Sequence, residues 1–240
     1  MKYLDLSFDE PSANLACDEA LLELIEADSS TDACLRVWQA KKHFVVLGHS
    51  NRLFSDVKVS LCDENRIPIL RRISGGGAVL QGPGCLNYTL ILRSGARELK
   101  NIADTFKYVL QRHRLLINEL FGAKTACIKG ISDLAMNGLK FSGNAQYRKS
   151  SCILVHGTFL LSFDLALMEK CLALPAKQPA YRGGRPHLRF VTNLNVDSAQ
   201  LCDGLRKTWQ ARDEVCDVPF PRIAALIRER YQKHEWSAKF

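Results

Sequence analysis

The sequence predicts one α/β domain in which helices flank a mixed, largely antiparallel sheet. Three observations carry that expectation. Strand and helix signals alternate through the first third, strand-like segments crowd between residues 34 and 161, and amphipathic stretches such as 101–121 lie around them. With 240 residues, 47% of them hydrophobic and 24% charged, the chain can bury one sizeable core. No internal repeat or low-complexity linker divides it, so a single domain over 1–240 is expected.

The elements follow in order. "YLDLS" (3–7) reads as a strand, and Pro11-Ser12 then opens a helix with Leu15, Leu21, Leu22 and Ile25 on its apolar side. "CLRVWQ" (34–39) and "HFVVLG" (43–48) read as strands around a polar turn, followed by "PILRR" (68–72). "AVLQ" and "CLNYTLIL" are separated by Gly82-Pro83-Gly84, which predicts a hairpin. Residues 101–121 put Ile102, Phe106, Val109, Leu110, Ile117 and Leu120 on one helical stripe. "LKFSGNAQ" (139–146) and "CILVHGTFLL" (152–161) are two further strands, and Pro175 stops the helix that follows them. The loop "AKQPAYRGGRPHLR" is long enough to be functional or mobile. Helices over about 198–211 and 220–233 close the chain.

Composition narrows the function classes. No apolar run is long enough to span a membrane, and the N-terminus lacks the basic start and apolar stretch of a signal peptide. A cytoplasmic protein with no membrane partner is the expectation. The nine cysteines stand singly and form no CxxC, which argues against a zinc site or a disulfide framework. A net charge of +8 points to an acidic partner (nucleic acid, nucleotide or protein), but no basic block is dense enough for a nucleic-acid tail.

Side chains alternate faces along a strand. In 139–146 this groups Lys140, Ser142, Asn144 and Gln146 on one face, opposite Leu139, Phe141, Gly143 and Ala145. In 152–161, His156 and Thr158 share a face, and in "CLNYTLIL" Asn87 pairs with Thr89. Each row alone reads first as a wetted sheet face, the default for an antiparallel sheet. Together they mix small, apolar and polar groups as a pocket floor does. Beside them stands "RRISGGGAV" (71–79), whose glycines offer free N–H groups and no side chains to an anionic or extended ligand. Its spacing is that of neither a P-loop nor a dinucleotide fingerprint.

"RRISGGGAVLQGPGCLNYTLIL" resembles the RRxSGGGAVxHDxGNxNYSxI segment of the lipoate–protein ligase A family. The likeness continues in order through "NLACDEALL" (14–22), "SDLAMNGLKFSGNAQ" (132–146), "VHGTFLLSFDL" (155–165) and "FVTNL" (190–194). The resemblance implies a catalytic domain of the type shared with biotin–protein ligases. It also implies that Mg2+-ATP and lipoate or octanoate form an acyl-adenylate, from which the acyl group passes to a lysine of an acidic lipoyl-domain acceptor. By position, Lys140 becomes the central catalytic lysine and Asp133 the adenylate-side aspartate. The glycine loop, with Ser74, Gly75, Gly76, Gly77, Ala78 and Val79, lies against the acyl chain and adenylate, and Arg72, next to Arg71 in a positively charged pair, sits near the phosphate or acyl carboxylate. Asn87, Ser142, Gly143 and Ala145 line the pocket, and His156, Gly157 and Thr158 close it.

The chain departs from the family pattern at Gln81-Gly82, where the family has His-Asp, and at Cys85, where it has Asn. Longer members carry a C-terminal accessory domain, whose absence over 1–240 leaves a self-sufficient ligase, a ligase with a separate accessory subunit, or a protein that only transfers acyl groups. The related octanoyltransferases carry the acyl group on a cysteine, for which Cys127 and Cys152 are the candidates. A catalytically dead acyl- or nucleotide-binding module is a third reading, disfavoured by Lys140, Asp133 and the full glycine run. The GRGR-type loop of biotin ligases is lacking.

Overall fold

In a computed structural model describing residues 1–240, the strands divide between two sheets. The chain opens with β1 (Lys2–Asp5), α1 (Pro11–Ala27), β2 (Cys34–Trp38) and β3 (Phe44–Leu47). Pro11 starts α1 where its missing N–H costs nothing. Two short helices, α2 (Leu53–Asp56) and α3 (Val59–Glu64), lead to β4 (Ile69–Arg71), β5 (Val79–Gln81) and β6 (Cys85–Arg93). Asn101 then caps α4 (Ile102–Leu120), its side chain accepting from the Asp104 N–H at 2.9 Å. A strand run follows: β7 (Ala126–Lys129), β8 (Asp133–Met136), β9 (Leu139–Arg148) and β10 (Cys152–Leu160). Finally come α5 (Leu165–Cys171), α6 (Ser198–Thr208), β11 (Asp213–Glu214), α7 (Phe220–Leu226) and α8 (His234–Ser237).

The large sheet runs β11-β1-β2-β6-β10-β9-β8-β7. It is antiparallel from β2 onward and parallel only at β1's two pairings, so the mixed, largely antiparallel architecture is as expected. One face buries Leu90, Val155 and Phe159 against α4 and α6. The other meets α1 and α7 through Trp38, Ile91 and Leu154. The small sheet, β4-β3-β5, packs with α5 around Val45, Leu80 and Met168.

Four expectations need correction. Gly82-Pro83-Gly84 is no hairpin, because β5 pairs with β3 in the small sheet while β6 pairs with β2 and β10 in the large one. The turn is instead a crossing point. Gly84 has φ +87°, and a Cβ there would lie 2.5 Å from the Ser162 carbonyl oxygen. The two strands around residues 40–42 part in the same way, β2 to the large sheet and β3 to the small. The last helix is broken: α7 passes into a π turn at Ile227–Tyr231 before the separate α8.

The fourth correction concerns strand alternation. Asp133 pairs with Gly143 and Leu134 with Ser142, yet Ala135 pairs with Lys140, so Phe141 is an extra residue in β9. The bulge turns Phe141 and Ser142 both towards the core. Asn144 and Gln146 follow on that side, accepting from Tyr88 Oη at 2.6 Å and donating to the Ile102 carbonyl at 3.0 Å. Lys140 is left on the opposite face, with Gly143 and Ala145.

Candidate active site

Two rungs of strand register make the cavity floor. Trp38, Asn87, Thr158, Gly143 and Asp133 stand side by side across five strands. Arg36, Thr89, His156 and Ala145 form the rung above them. A cavity of about 650 Å³ opens over this floor, walled on one side by the glycine loop. Lys140 Nζ sits over the bare Cα of Gly143, where an added Cβ would be 2.7 Å away. It meets Asp133 Oδ1 at 2.7 Å, and Tyr181 donates to Asp133 Oδ2 at 2.9 Å. Burial, then the charge of Asp133, pushes the Tyr181 phenol well above its ordinary range, so it stays a donor.

The glycine loop joins β4 to β5 and is held from beneath by Arg72. The guanidinium donates from Nε to Ser74 Oγ at 3.0 Å, and from Nη2 to the Gly75 and Gly77 carbonyls at 2.7 and 2.9 Å. Burial lowers its pKa to about 10, leaving it cationic at neutral pH. Gly76 needs its φ of +90°, and a Cβ on it would press within 2.9 Å of Arg72 Nη2. Gly75 and Gly77 have open space around them. Gly48, which the sequence did not single out, lies so close under the loop that a Cβ would collide with the Gly76 carbonyl.

Ser74 bonds His156 Nε2 at 2.6 Å, and His156 Nδ1 lies 3.7 Å from Asp18 Oδ2. Asp18 in turn meets Arg36 at 2.5 Å and accepts from Thr89 at 2.8 Å. Burial works to raise the Asp18 pKa, but Arg36 and the other partners outweigh it and hold the carboxyl below its ordinary value. Burial also lowers the His156 pKa despite Asp18. Gln81 donates to Thr158 Oγ1 at 2.6 Å, which donates to Asn87 Oδ1 at 2.6 Å, tying β5 to the floor. Leu15, Trp38, Val46, Val79 and Ala145 make one end of the cavity apolar. No group of three or more His, Cys, Asp or Glu side chains gathers that could hold a metal ion.

The structure sorts the residues expected from sequence. Arg72, Gly76, Gly77, Ala78, Val79, Asn87, Asp133, Lys140, Gly143, Ala145, His156 and Thr158 line the cavity. Ser142 and Gly157 border it, but both are directed at the core, where a Cβ on Gly157 would strike Asn144. Ser74 and Gly75 belong to the loop but do not line the cavity. Arg71 is elsewhere. It is fully buried and spends its donors on the carbonyls of Gly48, Asn51, Trp236 and Ser237 at 2.8–3.0 Å. Glu19 beside Asp18 behaves likewise, paired with Arg230 and accepting from Tyr231 at 2.7 Å. In each doublet one residue serves the cavity and its neighbour grips the segment after α7.

Sequence reasoning missed Asp18, Trp38, Tyr181 and Arg182, and met Gln81 only as a departure from the family pattern. Asp18 carried one usable signal, an acidic pair inside a helix whose adjoining turns carry Leu15, Leu21 and Leu22. Neither cysteine candidate lines the cavity. Cys127 donates to the Ala135 carbonyl at 3.3 Å on β7, the outermost strand, and burial raises the pKa of Cys152 beside Glu26 and Arg93.

The chain is similar to known proteins in sequence and in fold. The lipoate–protein ligase LplJ of Bacillus subtilis is 24% identical over 250 residues, covering 96% of this chain and 71% of its own. The octanoyltransferase LipM of an Exiguobacterium species is 28% identical over 186 residues, covering 68% of this chain and 67% of its own. Among solved structures, the bipartite lipoate protein ligase of Thermoplasma acidophilum, studied with its E2 lipoyl domain, superposes with a TM-score of 0.82 at 21% identity. That match covers 99% of this chain and 95% of that one. The family model for the lipoyl protein ligase A/B catalytic domain matches residues 10–201, and the chain belongs to that family of lipoate-attachment enzymes.

Proposed function

We propose that the chain is an ATP-dependent ligase that converts lipoate or octanoate to its acyl-adenylate and passes the acyl group to a lysine of a lipoyl domain. The observation that carries the choice of ligase over transferase is the cavity lining, which offers Lys140 on Asp133 and no cysteine thiol. A thioester route needs an accessible thiolate. Cys152 is buried with a raised pKa, and only Cys127 remains for that route.

Each residue then has a task. The apolar end around Leu15, Trp38 and Ala145 takes the acyl chain, each buried methylene stabilising by about 0.8 kcal/mol. The exposed backbone of Gly76 and Gly77 lies along the ligand, held in shape by Arg72. ATP enters with its Mg2+ as substrate and supplies the activated phosphorus. Lys140, fixed by Asp133, places an ammonium where charge develops on the acyl and phosphoryl oxygens. The net charge of +8 suits an acidic acceptor domain.

The test is to incubate the chain with an apo lipoyl domain and either ATP plus lipoate or an octanoyl carrier protein, then weigh the product. Modification only with ATP, surviving Cys127→Ser and Cys152→Ser, is expected. ATP-independent octanoylation lost in the Cys127 variant would establish the transferase instead, the reading that the likeness to LipM favours.

A further inference from the structure

The loop between α5 and Phe190 holds a buried cation that makes no ion pair within the chain. Arg182 is 4% exposed and lines the cavity. Its Nε donates to the Arg185 carbonyl at 2.9 Å, and its guanidinium carbon lies 4.6 Å from the centre of the Phe190 ring. Its Nη2 has no hydrogen-bond partner, and the residue takes part in none of the chain's ion pairs. The site carboxylate Asp133 is already shared between Lys140 and Tyr181.

The other buried arginines behave differently. Arg36 has Asp18, while Arg71 and Arg72 have rings of backbone carbonyls. Taking a guanidinium out of water costs several kcal/mol unless an anion or a full set of acceptors receives it. Arg182 has neither: Asp133 and Glu169 act on it only from beyond ion-pair distance, and Nη2 is left free for an anion brought by a ligand. Its place says which part of the ligand. Phe190 accepts from the Lys140 N–H at 2.8 Å, so Arg182 rests on the residue that holds the backbone of the central lysine. Phe190, on which it stacks, belongs to the core under the small sheet, away from the Leu15–Trp38 end that suits an acyl chain.

We propose that Arg182 receives the diphosphate that leaves ATP during acyl-adenylate formation. In that step a carboxylate oxygen bonds to the α-phosphorus and the bond from this phosphorus to the α–β bridging oxygen breaks. Pyrophosphate departs with the bonding electron pair. The planar guanidinium matches two phosphate oxygens at once, which a point charge does not. This assignment rests on the ATP-dependent reading above.

The experiment pairs a binding measurement with two half-reactions on the full chain. Inorganic pyrophosphate with Mg2+ is titrated calorimetrically into wild type, Arg182→Met and Arg182→Lys. Lipoate-dependent ATP–pyrophosphate exchange and transfer from preformed lipoyl-AMP are then compared. Arg182→Met should weaken pyrophosphate binding and raise the KM for ATP by about tenfold or more. Arg182→Lys should recover part of both, and transfer from lipoyl-AMP should change less than about twofold, since that step involves no diphosphate. Wild-type pyrophosphate affinity in either variant overturns the assignment. So does an equal loss in exchange and transfer, which would mean a structural role or an adenylate contact. A wild type that exchanges no pyrophosphate yet octanoylates from a carrier protein would sink the ligase reading itself, a result distinct from failure at Arg182.

Discussion

The glycine loop and the loop over residues 179–190 face the same cavity and are built on opposite principles. Both are internally tied by an arginine that donates to backbone carbonyls. Arg72 does so for the glycine loop, and Arg185 for the other, reaching the Tyr181, Arg182, Arg189 and Gly138 carbonyls at 2.8–3.2 Å. The glycine loop presents bare backbone and works by having no side chains. The second loop presents side chains, Tyr181 to Asp133 and Arg182 to the cavity, and uses Gly183 and Gly184 (φ +56° and +71°) only to turn. Shape is the product of the first loop and charge the product of the second. A substitution that adds volume should therefore injure one, and a substitution that removes hydrogen bonds the other.

Lys140 lies between the loops, so its loss should have the largest effect. Lys140→Ala should cut lipoate-dependent pyrophosphate exchange by about a thousandfold with melting intact, because it removes a preorganised charge rather than packing. Wild-type exchange would remove it from the mechanism.

Next comes Gly76→Val, which meets both a left-handed φ of +90° and Arg72 Nη2. It should weaken lipoate binding by about tenfold or more through about 1–3 kcal/mol of strain. Gly75→Ala, with open space around it, should bind nearly as wild type. Equal effects at both positions would mean that the loop is only a turn.

Arg185→Met should cost about 1–3 kcal/mol, confined to its own loop. Faster amide exchange over 179–190 and a higher KM for ATP, with the KM for lipoate unchanged, would show it. Loss of lipoate binding would couple the loops and break the contrast.

The smallest effect concerns acid. Burial, then the Arg182 charge, lowers the pKa of His187 from 6.5 to about 4. Between these values the unfolded chain binds more protons, so stability falls as pH drops from 6.5 towards 4. This one group contributes up to about 1.4 kcal/mol per pH unit. His187→Gln should flatten that limb of the stability curve by this amount, leaving the shares of His49, His113 and His156, whose pKa values burial also lowers. An unchanged limb would show that His187 is not held neutral.

The two loops also differ in how far the sequence discloses them. A run of three glycines beside arginines announces itself, because glycine composition is a local signal. The mixed, largely antiparallel sheet, the helix at 102–120 and the approach of Asn87 and His156 were legible for the same reason, through periodicity. Lys140 joins that face by a route that periodicity cannot express, since strict alternation placed it with Ser142 and Asn144. Only the extra residue Phe141 separates them. The crossing at Gly82–Gly84 was equally hidden, because the atoms it must avoid belong to His43 and Ser162, which are distant in sequence. Arg182 gives no sign in its own segment, for its isolation is a fact about what surrounds it.

The split doublets Asp18–Glu19 and Arg71–Arg72 bear on how variants of this chain will be read. Arg71 and Glu19 touch no part of the cavity, yet each is bonded to the chain end and covalently next to a residue that shapes the site. A survey scoring variants only by product formed would file both with the ligand contacts. A melting temperature recorded without ligand separates the classes. Changes at Arg71 or Glu19 should lower it, whereas changes at residues that meet only the ligand should leave it where it was.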